Sequence, residues 1–458
     1  MENKMGVMPV QKLLITMSLP VVISMFVQAL YNLIDSIFVA QINQDALTAV
    51  NMAFPMQSLM IAFQTGLGVG MNAMISRLLG EKRPREAGMA ATHGLILTLV
   101  NYIIFLIVGL TASGLFFRVQ SKSEAVIAYG EEYLSVICVF SFGLFFQICF
   151  ERLLQATGKT VYSMIMQGVG ALINIFLDPV FIFGVPMLGI PSMGVRGAAI
   201  ATVLGQCIAC GLGAFLHFKF NRDLKAVFKG FKLDLNIIKK IYAVGIPSIL
   251  MSALVSVMTY CMNIILKDYE EAAATAFGVY FKLQSFVIMP VFGMNNGIVP
   301  IIAYNYGARK GERIIKTVKL GVIYAMAVMA VGVLLFQLFP TFFLSFFNPD
   351  EALIRIGVSA LRTISIGFVF TGACIVLTSA LQSLGNGFQS LIVFLVRLLV
   401  PVLPLAWLFG KLWGVEAIWF SLPVSELCGL TLAVIFVLRT MRRVVKPMCT
   451  EVQSDGQL

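Results

Sequence analysis

The chain is short of the groups that enzymes and nucleic-acid binders depend on. Of its 458 residues only 12% are charged and only two are histidine, against about 25% charged residues in ordinary soluble domains. No Walker loop, nucleophile elbow or His/Cys cluster with metal-ligand spacing is present. Those absences argue against a membrane enzyme and against ATP as an energy source. Most of the eight cysteines fall inside apolar runs, which excludes a disulfide framework. Cys207 and Cys210 form a CxxC with no histidine or second pair beside it, and they read as filler. His93 and His217 are lone histidines and read as structural. Residues 1–12 are short and mixed and the first apolar run is too long for an h-region, so no cleavable signal is expected. The glycine run Thr65–Gly70 follows no strand; it reads as helix packing or a hinge, not as a phosphate cradle.

What the chain has is apolar length. It is 59% hydrophobic with a mean hydropathy of +0.92. Twelve runs approach or exceed the ~20 residues that cross a bilayer: 13–39, 46–76, 86–117, 125–150, 161–187, 195–218, 237–266, 272–303, 314–344, 353–382, 388–410 and 415–438. Backbone exposed to lipid must bond to itself, and the runs lack barrel alternation, so an all-α polytopic membrane protein is expected. The net charge of +11 does not point to nucleic acid. With both termini cytoplasmic, 24 of the 33 basic residues fall on the inner side, clustered around 77–85, 219–240, 309–319 and 439–446. Arg118, Lys122, Arg196, Lys267, Arg355 and Lys411 fall on the outer side. This is the positive-inside bias, and it predicts a multi-pass protein of the inner (plasma) membrane with both termini inside.

The sequence also repeats, 227 residues apart. Residues 48–60 read TAVNMAFPMQSLM and 275–287 read TAFGVYFKLQSFV. The register continues through Gly66/Gly293, Gly70/Gly297, Gly80/Gly307 and the segments Leu154–Gly158 and Leu381–Gly385, and Pro20 falls opposite Pro247. Two pseudo-symmetric six-helix lobes follow, 1–220 and 236–445, with a basic cytoplasmic linker at 221–235 and a tail at 446–458. Six spans per lobe puts both lobes in one orientation, the parallel-repeat case, in which lobes rock to alternate access. Pro20, Pro55, Pro179, Pro247, Pro290 and Pro300 supply kinks or bending points.

The buried acids do not repeat. Asp35 falls opposite Met262, and Asp178 opposite Pro404 and Leu405. In span one, Gln28, Tyr31, Asn32 and Asp35 form one helical stripe; in span five, Gln167, Asn174 and Asp178 form another; span six adds Thr202 and Gln206. An acid at mid-membrane costs about 2.5–3.5 kcal/mol and normally faces protein or water. Such a set can hold a proton or bind a hard cation such as Na+ through oxygen ligands at Asp35, Asn174, Asp178 and Thr202, or stitch helices together. Glu151 and Arg152, at the end of span four, read as an interfacial pair. Lys282, Arg362, Arg397 and Glu426 are expected buried in the second lobe and able to pair there, in a functional or a structural role.

Gly66–Ala87 (GLGVGMNAMISRLLGEKRPREA) and Pro300–Lys316 (PIIAYNYGARKGERIIK) resemble the paired signatures of the multidrug and toxic compound extrusion (MATE) family. Tyr31–Ile42 and Asn174–Gly184 resemble its first and fifth helices, and the likeness covers nearly the whole chain. An acid pair confined to the first lobe is similar to the bacterial DinF-like branch. The resemblance implies an antiporter that exports amphipathic, often cationic, organic compounds in exchange for H+ or Na+, with a role in antibiotic resistance. It carries over Asp35, Asn174, Asp178 and Thr202 as the ion-coupling site, with Gln28, Tyr31, Asn32, Gln167 and Gln206 around the substrate cavity. No cofactor, nucleic acid or further subunit is expected; the partners are the substrates and the bilayer, and the protein is read as a monomer. The alternative is a lipid-linked precursor flippase on a related scaffold.

Overall fold

The computed structural model describes residues 3–185, 189–227, 231–347 and 350–449. Residues 228–230 of the linker (Lys229 among them), 450–458 of the tail and the last two residues of the fifth predicted run lie outside the described residues.

The described chain is almost entirely helical, with one isolated antiparallel bridge, Val185 to Ile190, after span five. Ten helices have the length and apolarity to cross a membrane, and two bent helix pairs raise the number to twelve. Span one is Val10–Ala40 and span two Gln44–Gly80. Span three is Pro84–Thr111. Span four is the pair Glu124–Val139 and Phe142–Ala156, bent by 45°. Span five is Thr160–Phe183 and span six Gly194–Phe220. In the second repeat, spans seven, eight and nine are Leu235–Leu266, Glu271–Gly307 and Gly311–Leu338. Span ten is the pair Glu351–Ser365 and Phe368–Ser383, bent by 46°. Span eleven runs Gly387–Leu398 and Val402–Trp413, and span twelve is centred on Ser421–Thr440. All six prolines singled out above lie inside helices.

The 227-residue register is written into the backbone. Gly158 and Gly385 take φ of 81° and 86° where spans four and ten end, a left-handed turn that favours glycine. Lys82 and Arg309, also 227 apart, hold φ of 58° and 54°. Ser163 donates to the Glu151 carbonyl and Ser390 to the Thr378 carbonyl, the same bond in each repeat.

The chain forms two compact units, and their boundaries exchange the starts of two helices. One unit holds Met1–Val22, Ser76–Lys82 and Ile246–Leu458; the other holds Ile23–Ile75 and Arg83–Gly245. Glycines explain the exchange. A Cβ at Gly70 would strike the Ile241 carbonyl, so span two admits the start of span seven. Gly297, its counterpart, lies against Ser18, so span eight admits the start of span one, where Ser18 donates to the Met294 carbonyl. Helix contacts of this kind rely on small residues that let backbones approach.

Linker residues dock on span three. Thr92 Oγ accepts from the Val227 N–H at 2.9 Å, and His93 Nε2 accepts from the Asp234 N–H at 2.9 Å while Nδ1 meets the Met89 carbonyl. His93 is fully buried, with Nε2 holding the linker at Asp234 and Nδ1 anchored to its own helix at the Met89 carbonyl.

Candidate functional site

The site is built in the unit that holds Ile23–Ile75 and Arg83–Gly245. Spans five and six approach closely because their contact is glycine-lined. Gly170 faces Gly205 and Ala209, and Gly205 faces Asn174. This contact seals Asn174, Asp178 and Thr202, which are 3%, 0% and 8% exposed. Asn174 bridges the other two. With its oxygen toward span six, it accepts from the Thr202 N–H and donates to Asp178 Oδ2, both at 3.1 Å. Turned over, its amide lies 3.3 Å from Asp178 Oδ1 and from Thr202 Oγ. The i, i+4 spacing of Asn174 and Asp178 is what brings amide and carboxylate together.

Span one supplies the second carboxylate. Asp35 is half-buried, and its Oδ1 is buried without a hydrogen-bond partner. Asp35 and Asp178 lie within electrostatic reach of one another, and both act on the phenols of Tyr31 and Tyr133. Tyr133 accepts a 3.0 Å hydrogen bond from Gln57 Nε2. The cluster is thus two carboxylates surrounded by amides, phenols and a hydroxyl. An unpartnered carboxylate oxygen in such a place fits a proton or a small cation, since oxygen ligands are what a hard cation takes.

The other expected residues are placed differently. Gln28 and Asn32 are exposed, and no hydrogen bond joins either to the cluster among the described residues. Gln206 is half-buried one turn beyond Thr202, where its backbone lies under Gly143 of span four. Gln167 does not reach Asp178. It donates to Glu151 Oε2 at 2.7 Å, while Gln155 donates to Glu151 Oε1 at 2.7 Å and accepts from Arg152 at 3.0 Å. Glu151 and Arg152 are about 5–6% exposed, so the interfacial pair expected there is a buried network with Gln155 as the bridge.

In the other unit, Arg397 and Glu426 form a buried ion pair, Nε to Oε2 at 2.6 Å, with 7% and 12% of their side chains exposed. Lys282 and Arg362, expected beside them, are exposed instead. Lys282 lies 6.0 Å from the Phe347 ring centre, and Arg362 is held at its backbone carbonyl by Gln337. A long cationic stem on a helix surface can carry its charge away from apolar surroundings, which relieves it of the need for a buried partner. Cys207 and Cys210 are free thiols.

Gln57 and Tyr133 are members of the site that the polar stripes missed. The signal for Gln57 was in the repeat itself, which keeps it as Gln284 in the segment LQSF. Tyr133 has no such signal, because Ala360 stands at its counterpart.

Three comparisons agree on kinship. The MatE family matches residues 20–180 and 247–408, two segments that start 227 residues apart at Pro20 and Pro247. The multidrug export protein MepA of Staphylococcus aureus (strain MRSA252) is 26% identical over 439 residues, 94% of this chain and 94% of that protein. Among solved structures, the outward-facing conformation of a multidrug resistance MATE family transporter of the MOP superfamily is 26% identical. It superposes with a TM-score of 0.90 over 97% of this chain and 99% of that one. A MOP superfamily transporter from Pyrococcus furiosus, described as having a binding pocket of reverse polarity that suggests a different function, is also 26% identical. Its TM-score is 0.88 over 96% of this chain and 99% of that one. The matched segments span both repeats, and the chain belongs to the MatE family of multidrug efflux transporters, multi-pass membrane proteins of two repeated lobes.

Proposed function

We propose that this protein is a secondary active antiporter that exports amphipathic, often cationic, organic compounds in exchange for H+ or Na+. Asp35 and Asp178 take the coupling ion, with Asn174 and Thr202 as neutral oxygen and amide partners. The observation that carries this reading is the pairing of two deep carboxylates from spans one and five, one with an unpartnered oxygen, amid neutral groups. An ion entering that pair relieves the repulsion of the two negative charges, and the relief depends on how far spans one and five are apart. The same ion therefore favours one arrangement of the two helices, and its release favours another. Pro20 in span one and Pro179, directly after Asp178, weaken the helices on which the acids ride. One charge crossing 100 mV supplies about 2.3 kcal/mol, enough to drive such a step. Met and Phe number 24 and 37, and surfaces rich in them repack around varied ligands.

Efflux of a fluorescent cationic dye in everted vesicles, with pH and sodium gradients imposed separately, tests the proposal. One gradient should drive efflux in the wild type, and Asp35→Asn and Asp178→Asn should each remove that drive while leaving the folded protein in the membrane. Full coupled transport in both variants would refute the coupling site. A lipid-linked precursor flippase requires a basic cavity for its phosphates, whereas the deep charges of spans one and five are acidic. Rescue of a wall-precursor defect by this chain, with no dye efflux, would select the flippase.

A further inference from the structure

A cavity lies away from the acidic site, at the basic end of span twelve. Its volume is about 550 Å³. Phe436, Arg439, Thr440 and Arg443 line it from one side, and they follow the i, i+3, i+4, i+7 spacing of a single helix face. Asn386 and Gln389, at the start of span eleven, line the other side. Asn386 Nδ2 reaches Thr440 Oγ at 3.4 Å and ties the two walls together. Span twelve departs from α geometry at this place, with a π turn over Met441–Val445 that carries Arg443. Turns of that kind are frequent at functional sites.

Three properties define what the cavity can hold. Two guanidinium groups one turn apart present forked N–H donors, the geometry that grips a phosphate. Gln389 Oε1 is buried and has no donor, and beside two guanidinium groups the donor that completes it is a neutral hydroxyl rather than an ammonium. The third property is position. The helix bearing the arginines belongs to an apolar span, Val415–Cys449, and its Ile435 and Leu438 are 40% and 50% exposed just before Arg439. The cavity therefore opens where acyl chains give way to headgroups.

We propose that this cavity binds the headgroup of an anionic glycerophospholipid with free hydroxyls, of the phosphatidylglycerol kind. Arg439 and Arg443 take the phosphodiester, a glycerol hydroxyl donates to Gln389 Oε1, and Phe436 meets the start of the acyl chains. Basic pockets between transmembrane helices are known to take anionic headgroups. A choline headgroup offers no O–H donor and brings a cation toward two arginines, so it fits neither requirement. The lipid acts as a ligand of the folded state, and its binding raises thermal stability by mass action. This assignment does not depend on the ion-coupling reading.

The experiment uses the full chain, purified in detergent and stripped of lipid, with thermal unfolding followed as phosphatidylglycerol, phosphatidic acid, phosphatidylcholine or soluble glycerol phosphate is added. Phosphatidylglycerol should raise the midpoint by several degrees and phosphatidylcholine should not. The double variant Arg439→Gln, Arg443→Gln should lose most of that shift while its midpoint in phosphatidylcholine matches the wild type. Gln389→Leu should keep a response to phosphatidic acid and lose the preference for phosphatidylglycerol over it. Equal shifts in the wild type and the double arginine variant would overturn the site. A full shift from glycerol phosphate alone would overturn the lipid as occupant and leave a site for a free anion. If the glutamine variant unfolds early, Arg439→Lys, Arg443→Lys keeps both charges without the fork and should give a reduced shift; an undiminished one counts against the phosphodiester contact.

Discussion

Spans five and six of the first repeat and spans eleven and twelve of the second make the same helix contact with opposite chemistry. Gly170 and Arg397 occupy corresponding positions, 227 apart. Where Gly170 lets span five close on Gly205, Arg397 fills the space and pairs with Glu426, whose counterpart is Ala199. The exchange of sizes is reciprocal. Thr202 of span six corresponds to Gly429 of span twelve, and a Cβ at Gly429 would strike Arg397. Asn174 corresponds to Pro401, in the break between the two helices of span eleven, and Asp178 corresponds to Leu405. One contact therefore holds a carboxylate, Asp178, whose hydrogen-bond partner is the neutral Asn174, and the other holds a carboxylate neutralised by its own guanidinium. An ion can alter the charge of the first, while the second is complete without one.

The largest expected effect separates the two contacts by transport. Asp178→Asn should cut ion-driven efflux at least about tenfold, some 1.4 kcal/mol in the driven step, whereas Glu426→Gln should leave the dependence on the gradient in place. Vesicle efflux at matched protein levels measures both. If Glu426→Gln erases the gradient dependence as completely as Asp178→Asn does, the division of labour between the repeats is wrong.

Stability should divide the other way. Glu426→Ala leaves Arg397 buried without its partner, and breaking a buried pair on one side costs about 3–5 kcal/mol. Replacing both residues, Arg397→Met with Glu426→Leu, removes the charge and its need together and should return stability close to wild type. Unfolding in a denaturing detergent series reads both. A double variant as unstable as the single one would mean that the pair does more than satisfy itself.

A smaller effect tests the packing. Gly205→Val puts side-chain atoms where the Gly170 carbonyl and the Asn174 Cβ already lie, and overpacking of this kind costs about 1–3 kcal/mol. Leu432 stands at the corresponding position of span twelve and is only partly buried, so Leu432→Val, the loss of one methylene, should cost no more than about 0.5–1.5 kcal/mol. Equal losses would show that the glycine contact does not set the distance between spans five and six.

Which of this was legible beforehand follows from what a helical pattern encodes. Apolar length gave all twelve spans, and the stripe spacing put Asn174 and Asp178 on one face, where the structure keeps them together. Periodicity tells which residues share a face and says nothing about which helix lies opposite. Gln167 shares the face of Asn174 and Asp178, yet span four offers it Glu151 two turns earlier. The exchanged helix starts were equally hidden, because Gly70 and Gly297 read as repeat positions until their opposing carbonyl and serine are seen. Arg397 and Glu426 could be guessed as partners from opposite charge alone, but the same reasoning enrolled Lys282 and Arg362, which are exposed.

The smallest effect bears on the one polar element that both repeats share. Gln57 donates to Tyr133, and its counterpart Gln284 bonds the phenol of Tyr280. The glutamine is repeated, but the phenol comes from span four in one unit and from span eight itself in the other. Tyr133→Phe and Tyr280→Phe each remove one acceptor from a half-buried amide, a loss of about 0.5–1.5 kcal/mol, so their unfolding shifts should be alike. Their neighbours differ. Tyr133 faces Asp35 and Asp178, whereas Tyr280 faces the Arg397–Glu426 pair, whose charges offset one another. Tyr133→Phe should therefore also alter the ion concentration that half-saturates efflux, while Tyr280→Phe should not. Equal unfolding shifts with unequal ion dependence would sharpen the contrast between the repeats, and an unchanged ion dependence in both would confine the coupling chemistry to the carboxylates and Asn174.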